Sequence, residues 1–400
     1  MVSQRGTDLV TEAPPEPAAE RDLALDGVRG LAVLMIVLLH GFTPAPTGPV
    51  TQLLHNGGES LFIGVDLFFV LSGFLITSIL IRSREQAGYF RHFYWRRGLR
   101  IFPAYLIVLF VSCVLLPLRS DPATAQALHA VAPWHLLYLQ NLLAAATGPM
   151  PADLSHLWSL AIEEQFYLLW PLTVLLLPRQ RLAPVCAGLF GASCLVKLAL
   201  YLGGASWLTL YVFTPCHVEG LAAGAWIAAK RQIGGVRSVP AWLGAAGAVA
   251  GAALLLIALA VPGAKLFDRT QVVLHNFLAS VAFAALLYAV LAMRPGAWLR
   301  RLFDWRPLRF LGLYSYGIYL ISWGLVRHVQ YPMARRLSAH LSDNMALLAS
   351  GLAVSALCIV LAMLMFHAVE KPLLRFKDRG PGRRRATAAV AAAARPGETA

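Results

Sequence analysis

Residues 244–261 read GAAGAVAGAALLLIALAV, an unbroken run of apolar residues. The run is close to the ~20 residues that a helix needs to cross a bilayer. A spanning segment must satisfy its own backbone hydrogen bonds, which leaves helices and closed barrels as the possible structures. Barrel strands alternate apolar and polar residues over ~10 positions, and this run does not alternate. It therefore predicts a membrane-spanning helix.

Similar runs recur along the whole chain of 400 residues, which is 58% hydrophobic, 14% charged and has a mean hydropathy of +0.63. A soluble protein is about 25% charged. The sequence thus predicts an all-α polytopic membrane protein with about ten transmembrane helices. The predicted spans are 25–42, 60–81, 101–118, 157–177, 183–203, 208–229, 241–262, 272–293, 308–328 and 344–369.

The net charge of +14 is distributed asymmetrically about these spans. With the N-terminus inside, the outside loops carry only Arg119, Lys265, Arg269, Arg327, Arg335 and Arg336. Most other basic residues fall in inside loops and tails, which is the positive-inside pattern. We therefore expect cytoplasmic N- and C-termini, a multi-pass protein of the inner (plasma) membrane in contact with the lipid bilayer, and no nucleic-acid partner.

The ends of the chain differ from its apolar middle. Residues 1–22 are acidic and Pro-rich, without the order of regions that a signal peptide needs. The sequence predicts a disordered tail over 1–22, a transmembrane domain over 23–372, and a basic, Ala-rich tail over 373–400. The five cysteines lack metal-ligand spacing, so no metal site and no bound cofactor are expected.

Ionisable residues inside predicted spans are costly and indicate function. Arg29 and His40 are eleven positions apart, which places them roughly on one helix face and roughly 16 Å apart along the axis. Asp66, two turns into the second span, should lie at the depth of His40, where a carboxylate raises imidazole basicity. An interfacial anchor and a helix–helix hydrogen bond are the simpler alternatives for these residues.

Two further motifs carry charges. Arg97 and Arg100 lie one turn apart at a cytoplasmic helix end, where they are either membrane anchors or a fork for phosphate oxygens. Glu163 and Glu164 lie a turn into a span that starts outside, with Tyr167 beside them, and could orient a hydroxyl substrate or the histidine. A capping or interfacial cluster is the alternative reading of the second motif.

The layout groups these residues into two sets. His40, Asp66, Glu163 and Glu164 form an expected general-base set in the outer third. Arg29, Arg97 and Arg100 form an expected phosphate set at the cytoplasmic end. Acyl-CoA, with phosphates at one end and a thioester at the other, has the shape that would join the two sets. The base would deprotonate an acceptor hydroxyl for attack on the thioester.

At these residues the chain resembles the acyltransferase 3 family of membrane O-acyltransferases. The resemblance rests on DGVRG, GVDLFFVLSGFL, RRGLRIFPAY and LWSLAIEEQFYLLWP, in the family's order over residues 24–172, and more weakly on 314–323 and VEKP at 369–372. It implies about ten helices, an acyl-CoA donor, commonly acetyl-CoA, and a hydroxyl acceptor on a glycan, lipid, peptidoglycan or secondary metabolite such as a macrolide.

By motif, His40 matches the family's catalytic histidine and Arg29 its paired basic residue. Arg97 and Arg100 match its arginine pair, and Glu163 matches its glutamate. Many members have a histidine where this chain has Ser322, which puts any role of that histidine in doubt. No Ser or Cys stands in an obvious nucleophile setting, which favours direct transfer over an acyl-enzyme. A transporter or flippase of a polar metabolite, and a scaffold that has lost the chemistry, remain the alternative functions.

Overall fold

The computed structural model describes residues 22–377 except 46, 236–237, 261–267 and 295, and its described residues form helices and no strand. The predicted N-terminal tail, apart from Asp22, and the predicted C-terminal tail beyond Lys377 lie outside the described residues. The α-helices are α1 Leu23–Phe42, α2 Pro49–Glu59, α3 Gly64–Ser83, α4 Tyr89–Phe110, α5 Pro122–Leu136, α6 Gln140–Thr147, α7 Trp158–Leu176, α8 Arg179–Leu202, α9 Trp207–Val212, α10 Val218–Gly234, α11 Trp242–Ala260, α12 Arg269–Ala292, α13 Trp298–Asp304, α14 Arg306–Leu325, α15 Tyr331–Leu337, α16 Asp343–Met365 and α17 Lys371–Leu374.

Seven helical segments of the described chain are long and apolar enough to cross a membrane. This confirms the prediction of an all-α membrane protein. The segments are Leu23–Phe42, Val50–Ser83, Tyr89–Arg119, Arg179–Leu202, Trp242–Leu259, Arg269–Ala292 and Asp343–Leu374.

The three other predicted spans coincide with helices that are shorter or more polar. The helix α7 contains Glu163 and Glu164, and α14 begins with the Arg306 and Arg309 pair. The predicted span 208–229 is not one helix, because α9 and α10 are separated by a 3₁₀ turn at Thr214–Cys216. Pro215 within that turn has no backbone N–H, so it cannot donate the hydrogen bond that a continuous helix would have at this position.

The helix α3 lies at the centre of the bundle, where it packs against α1, α7, α10 and α12. Its contact with α10 is made through glycines. A Cβ on Gly73 would lie 1.9 Å from the carbonyl oxygen of Leu221, and one on Gly224 would lie 1.8 Å from that of Val70. Only residues without a side chain permit such close approach between helices in a membrane.

The helices α1 and α14 touch in the same way. A Cβ on Gly30 would lie 1.8 Å from the carbonyl oxygen of Leu308, and one on Gly312 would lie 1.7 Å from that of Asp26. These glycines bring the backbone that carries Arg29 and His40 directly against the helix that carries Tyr319 and Trp323. The position of the candidate site follows from this contact.

Candidate active site

A small cavity of about 110 Å³ lies among α1, α3, α4, α7 and α14. The structure brings together in its lining five residues singled out from the sequence, which come from three different helices. They are Arg29, Arg97, Arg100, Glu163 and Tyr167, and Ser72 joins them from α3.

The cationic groups of this cavity are held by aromatic and acidic partners. The Arg97 guanidinium carbon lies 4.6 Å from the centre of the Tyr167 ring, within the range of a cation–π contact. The hydroxyls of Tyr167 and Ser72 are hydrogen-bonded to each other, and both lie beside the Glu163 carboxyl group. That carboxylate interacts with the charge of Arg97 and, more weakly, with that of Arg29.

Each arginine of the cavity therefore faces a carboxylate. An Arg29 Nη1 lies 3.5 Å from an Asp26 Oδ1, and Arg100 interacts with the charge of Glu370 in the VEKP motif. A guanidinium has five N–H donors, more than a single carboxylate can occupy. The arrangement fixes the orientation of three such groups around one cavity.

A second cavity, of about 670 Å³, has the size of a small-molecule site. His40 lines it together with several aromatic residues, His156, Trp158, Trp207, Tyr211, Tyr319 and Trp323. His156 lies outside the predicted spans, and burial lowers its pKa to about 4, so this imidazole is uncharged near neutral pH.

The imidazole of His40 lies against Trp323, with 4.7 Å between the ring centres. Its Nδ1 is buried and has no hydrogen-bond partner within the described part of the chain. The nitrogen that can act on a substrate in the wide cavity is therefore Nε2. The helix α1 thus presents Arg29 to the small cavity and His40 to the wide one.

The expected outer set of acidic residues is separated in the structure. Glu163 lies with the arginines, because its side chain points from α7 into the small cavity. Glu164 lines neither cavity, and its Oε1 is buried with no hydrogen-bond partner among the described residues.

Asp66 belongs to another polar cluster, on the far side of α3. Asn276 Nδ2 donates to both of its carboxylate oxygens at 3.2 Å, and His217 Nδ1 lies 4.0 Å from Oδ1. A buried ion pair between Lys197 and Glu219 lies nearby and interacts with the Asp66 charge. The described structure gives Asp66 these partners and no hydrogen bond to His40 Nδ1.

Comparison with known proteins identifies the fold that carries these two cavities. The sequence profile described as the acyltransferase domain matches residues 22–366, which include every residue of both cavities. The chain belongs to this family.

The acyltransferase domain also has curated relatives. The chain is 29% identical to the peptidoglycan O-acetyltransferase OatA of Listeria monocytogenes, over 88% of this chain and 55% of the relative. It is 32% identical to the putative peptidoglycan O-acetyltransferase YrhL of Bacillus subtilis, over 87% of this chain and 54% of the relative. It is 30% identical to the O-acetyltransferase OatA of Staphylococcus aureus, over 76% of this chain and 50% of the relative. The chain spans about half the length of these relatives, and no solved structure matches it.

Within this acyltransferase domain, the departure at Ser322 lies outside both cavities. The Ser322 hydroxyl donates to the Tyr319 carbonyl oxygen of its own helix at 3.4 Å. The next residue, Trp323, faces His40 instead, and its Nε1 donates to the Ala152 carbonyl oxygen at 2.6 Å. The aromatic partner of His40 is therefore held in place from outside α14.

Several residues of the site were not identified from the sequence. Tyr319 and Trp323 belong to the weaker motif at 314–323, and Glu370 belongs to VEKP. These two motifs of the family resemblance could therefore have pointed to the three residues. Ser72 lies within the GVDLFFVLSGFL motif, but a serine in an apolar span predicts nothing by itself. His156 directly precedes the LWSLAIEEQFYLLWP motif and lies outside it.

Proposed function

We propose that this chain is a membrane O-acyltransferase that moves an acetyl group from acetyl-CoA to a hydroxyl of a glycan. The proposal is carried by the observation that one helix, α1, contributes Arg29 to the small arginine cavity and His40 to the wide aromatic cavity. Family membership and the names of the relatives support the reaction type, and those names make peptidoglycan the first acceptor to test.

The arginine cavity suits the narrow part of the donor. Its volume of about 110 Å³ is well below the ~300 Å³ of the smallest ordinary ligand sites. The cavity has room for a phosphate group or the thin arm that carries the thioester, and none for an adenine nucleotide. Arg29, Arg97 and Arg100 would hold phosphate oxygens at its edge, and the nucleotide would lie outside it.

The chemical step uses His40 as the general base. The acceptor hydroxyl gives its proton to His40 Nε2 while its oxygen attacks the thioester carbonyl carbon. The carbon–sulfur bond then breaks, an oxygen ester remains on the acceptor, and the proton passes from His40 to the leaving CoA thiolate. A positioned base of this kind typically contributes 10²–10⁴-fold to the rate. Direct transfer fits the two cavities without an acyl-enzyme.

The wide cavity suits a sugar acceptor. Aromatic faces such as those of Trp158, Trp207 and Trp323 provide apolar surfaces with a polar edge, on which the apolar faces of a sugar ring can stack. A macrolide or another hydroxyl-bearing metabolite, or a lipid, would use the same surface. We further propose that the ten predicted spans place this cavity at the outer side of the plasma membrane and the arginines near the cytoplasm.

The proposal is tested with detergent-purified protein and labelled acetyl-CoA. Wild type should release CoA and transfer label to soluble peptidoglycan fragments. His40→Ala should lower both rates about 100-fold or more. His340→Ala, at an exposed histidine away from both cavities, is the matched control and should behave as wild type. No turnover by folded wild-type protein with several acyl-CoAs would overturn the enzyme assignment, and a fully active His40→Ala variant would overturn the base.

A further inference from the structure

The two cavities share part of their wall. Val65 of α3 and Tyr319 of α14 line both the small arginine cavity and the wide His40 cavity. Every other residue named above lines one of the two cavities alone or neither. A donor whose phosphates bind Arg29 and whose thioester reaches His40 must therefore pass these two side chains.

The Tyr319 side chain is fixed at this boundary by hydrogen bonds to residues on either side of it. Its hydroxyl is 2.8 Å from Ser159 Oγ, and Ser159 lines the small cavity one turn before Glu163. The same hydroxyl donates to the backbone carbonyl oxygen of His156, a residue of the wide cavity. The rings of Tyr319 and His156 also meet edge to face, with 5.5 Å between their centres.

We propose that Tyr319, together with Val65, forms the partition between the donor and acceptor cavities and limits the size of the acyl group that crosses it. This inference rests on the proposed function. A ring held by two hydrogen bonds leaves a narrow passage, which admits a thioester arm and hinders longer acyl chains. The same partition keeps acceptor-side water from the donor cavity, which protects a thioester from hydrolysis.

The first experiment measures acyl-chain selectivity. In Tyr319→Ala, the ratio of kcat/KM for hexanoyl-CoA to that for acetyl-CoA should rise about tenfold or more, because the removed ring leaves room for extra methylenes. Tyr319→Phe keeps the ring but loses both hydrogen bonds that fix it, so its ratio should lie between those of wild type and Tyr319→Ala. Tyr105→Phe is the control, since Tyr105 donates to the His135 carbonyl oxygen and lines neither cavity. An unchanged ratio in an active Tyr319→Ala variant overturns the proposal.

A second experiment needs no enzymatic activity. Ser72→Cys places a thiol in the small cavity, and a membrane-impermeant thiol reagent is added to either side of sealed vesicles. With Tyr319 intact, this thiol should react from one side only, and with Tyr319→Ala it should react from both. The protein with Ser72 unchanged gives the background from the five native cysteines.

The two readouts separate the partition from the proposed function. The partition is overturned if the Ser72→Cys thiol reacts from both sides while Tyr319 is intact. It is also overturned if this thiol does not react from both sides in the Tyr319→Ala variant. A wild-type protein that turns over no acyl-CoA overturns the proposed function instead, and the labelling pattern still decides whether Tyr319 separates the cavities.

Discussion

At the scale of single residues, the Arg97 side chain shows why the small cavity requires arginine. Its guanidinium lies over the Tyr167 ring and also interacts with the charge of the Glu163 carboxylate. A planar, delocalised cation can stack and form a forked hydrogen bond at the same time, and a lysine ammonium cannot. If the donor phosphates bind here, as proposed, Tyr167 and Glu163 orient this guanidinium before the ligand arrives.

We predict that Arg97→Ala raises KM for acetyl-CoA about 10- to 100-fold, since hydrogen bonds to a charged group contribute about 1.5–3 kcal/mol. Arg97→Lys should recover only part of this loss. Steady-state kinetics with purified protein provide the measurement. Arg179→Ala is the control, because the ion pair of Arg179 with Glu85 is largely exposed. An equal loss in both alanine variants would contradict a phosphate role for Arg97.

The sequence motifs predicted most of the residues in the small cavity but not how they are grouped. Arg29, Arg97 and Glu163 were all identified, yet Glu163 was grouped with His40 because both were expected at the same depth in the membrane. Depth along a helix axis does not determine which neighbour a side chain faces. That direction depends on the rotation of α7 against α3, which only the packed structure provides. The partners of Asp66 were missed for the same reason.

At the scale of elements, the contact between α1 and α14 sets the spacing of the site. Gly30 and Gly312 leave no room for a side chain between the two backbones. Arg29, the neighbour of Gly30, lines the small cavity, and Tyr319 lines it from α14. Any separation of these helices would widen the boundary between the cavities.

We therefore predict that Gly30→Ala lowers both thermal stability and acetyl transfer. The new Cβ would lie 1.8 Å from a backbone oxygen, and overpacking of this kind costs about 1–3 kcal/mol. The melting temperature in detergent and the transfer rate are the measurements. Gly251→Ala in α11 is the control, because a Cβ there has no neighbour within 4 Å. This variant should keep the wild-type transfer rate and have an unchanged or slightly higher melting temperature. Equal melting temperatures for the two variants would contradict the close packing.

Element type was predictable because long apolar runs have few alternatives in a bilayer. Two helices that are not among the seven membrane-crossing segments, α7 and α14, line the site. The helices α7 and α14 contribute polar lining residues such as Glu163 and Tyr319, and this polarity reduces the apolar signal on which span prediction depends. The break between α9 and α10 was missed because Pro215 lies within residues that are otherwise apolar enough for a single span.

At the scale of the whole molecule, the two cavities lie in series along α1, with the arginines at one end and His40 at the other. If the basic residues set the orientation, the arginine end lies near the cytoplasm. Such an arrangement would let a cytoplasmic donor serve an acceptor on the opposite side of the membrane, without movement of the whole donor across it.

We predict that residue 120 and residue 377 lie on opposite sides of the membrane. The charge distribution places the loop at 119–156 outside and the C-terminal end inside. Alkaline phosphatase fused after residue 120 should be active, and a fluorescent protein fused after residue 377 should fluoresce in the cytoplasm. Both reporters on the same side would rule out the predicted ten spans.

The ion pair between Lys197 of α8 and Glu219 of α10 has a consequence for how the chain is made. Both side chains are almost fully buried, and Ser193 Oγ donates to the second Glu219 oxygen at 2.5 Å. A charged side chain that must be buried in the membrane is unfavourable during insertion until its partner is present. Because α8 precedes α10 along the chain, we expect α8 to remain at the translocon during synthesis until α10 has left the ribosome. The two helices would then enter the lipid with these two charges already paired.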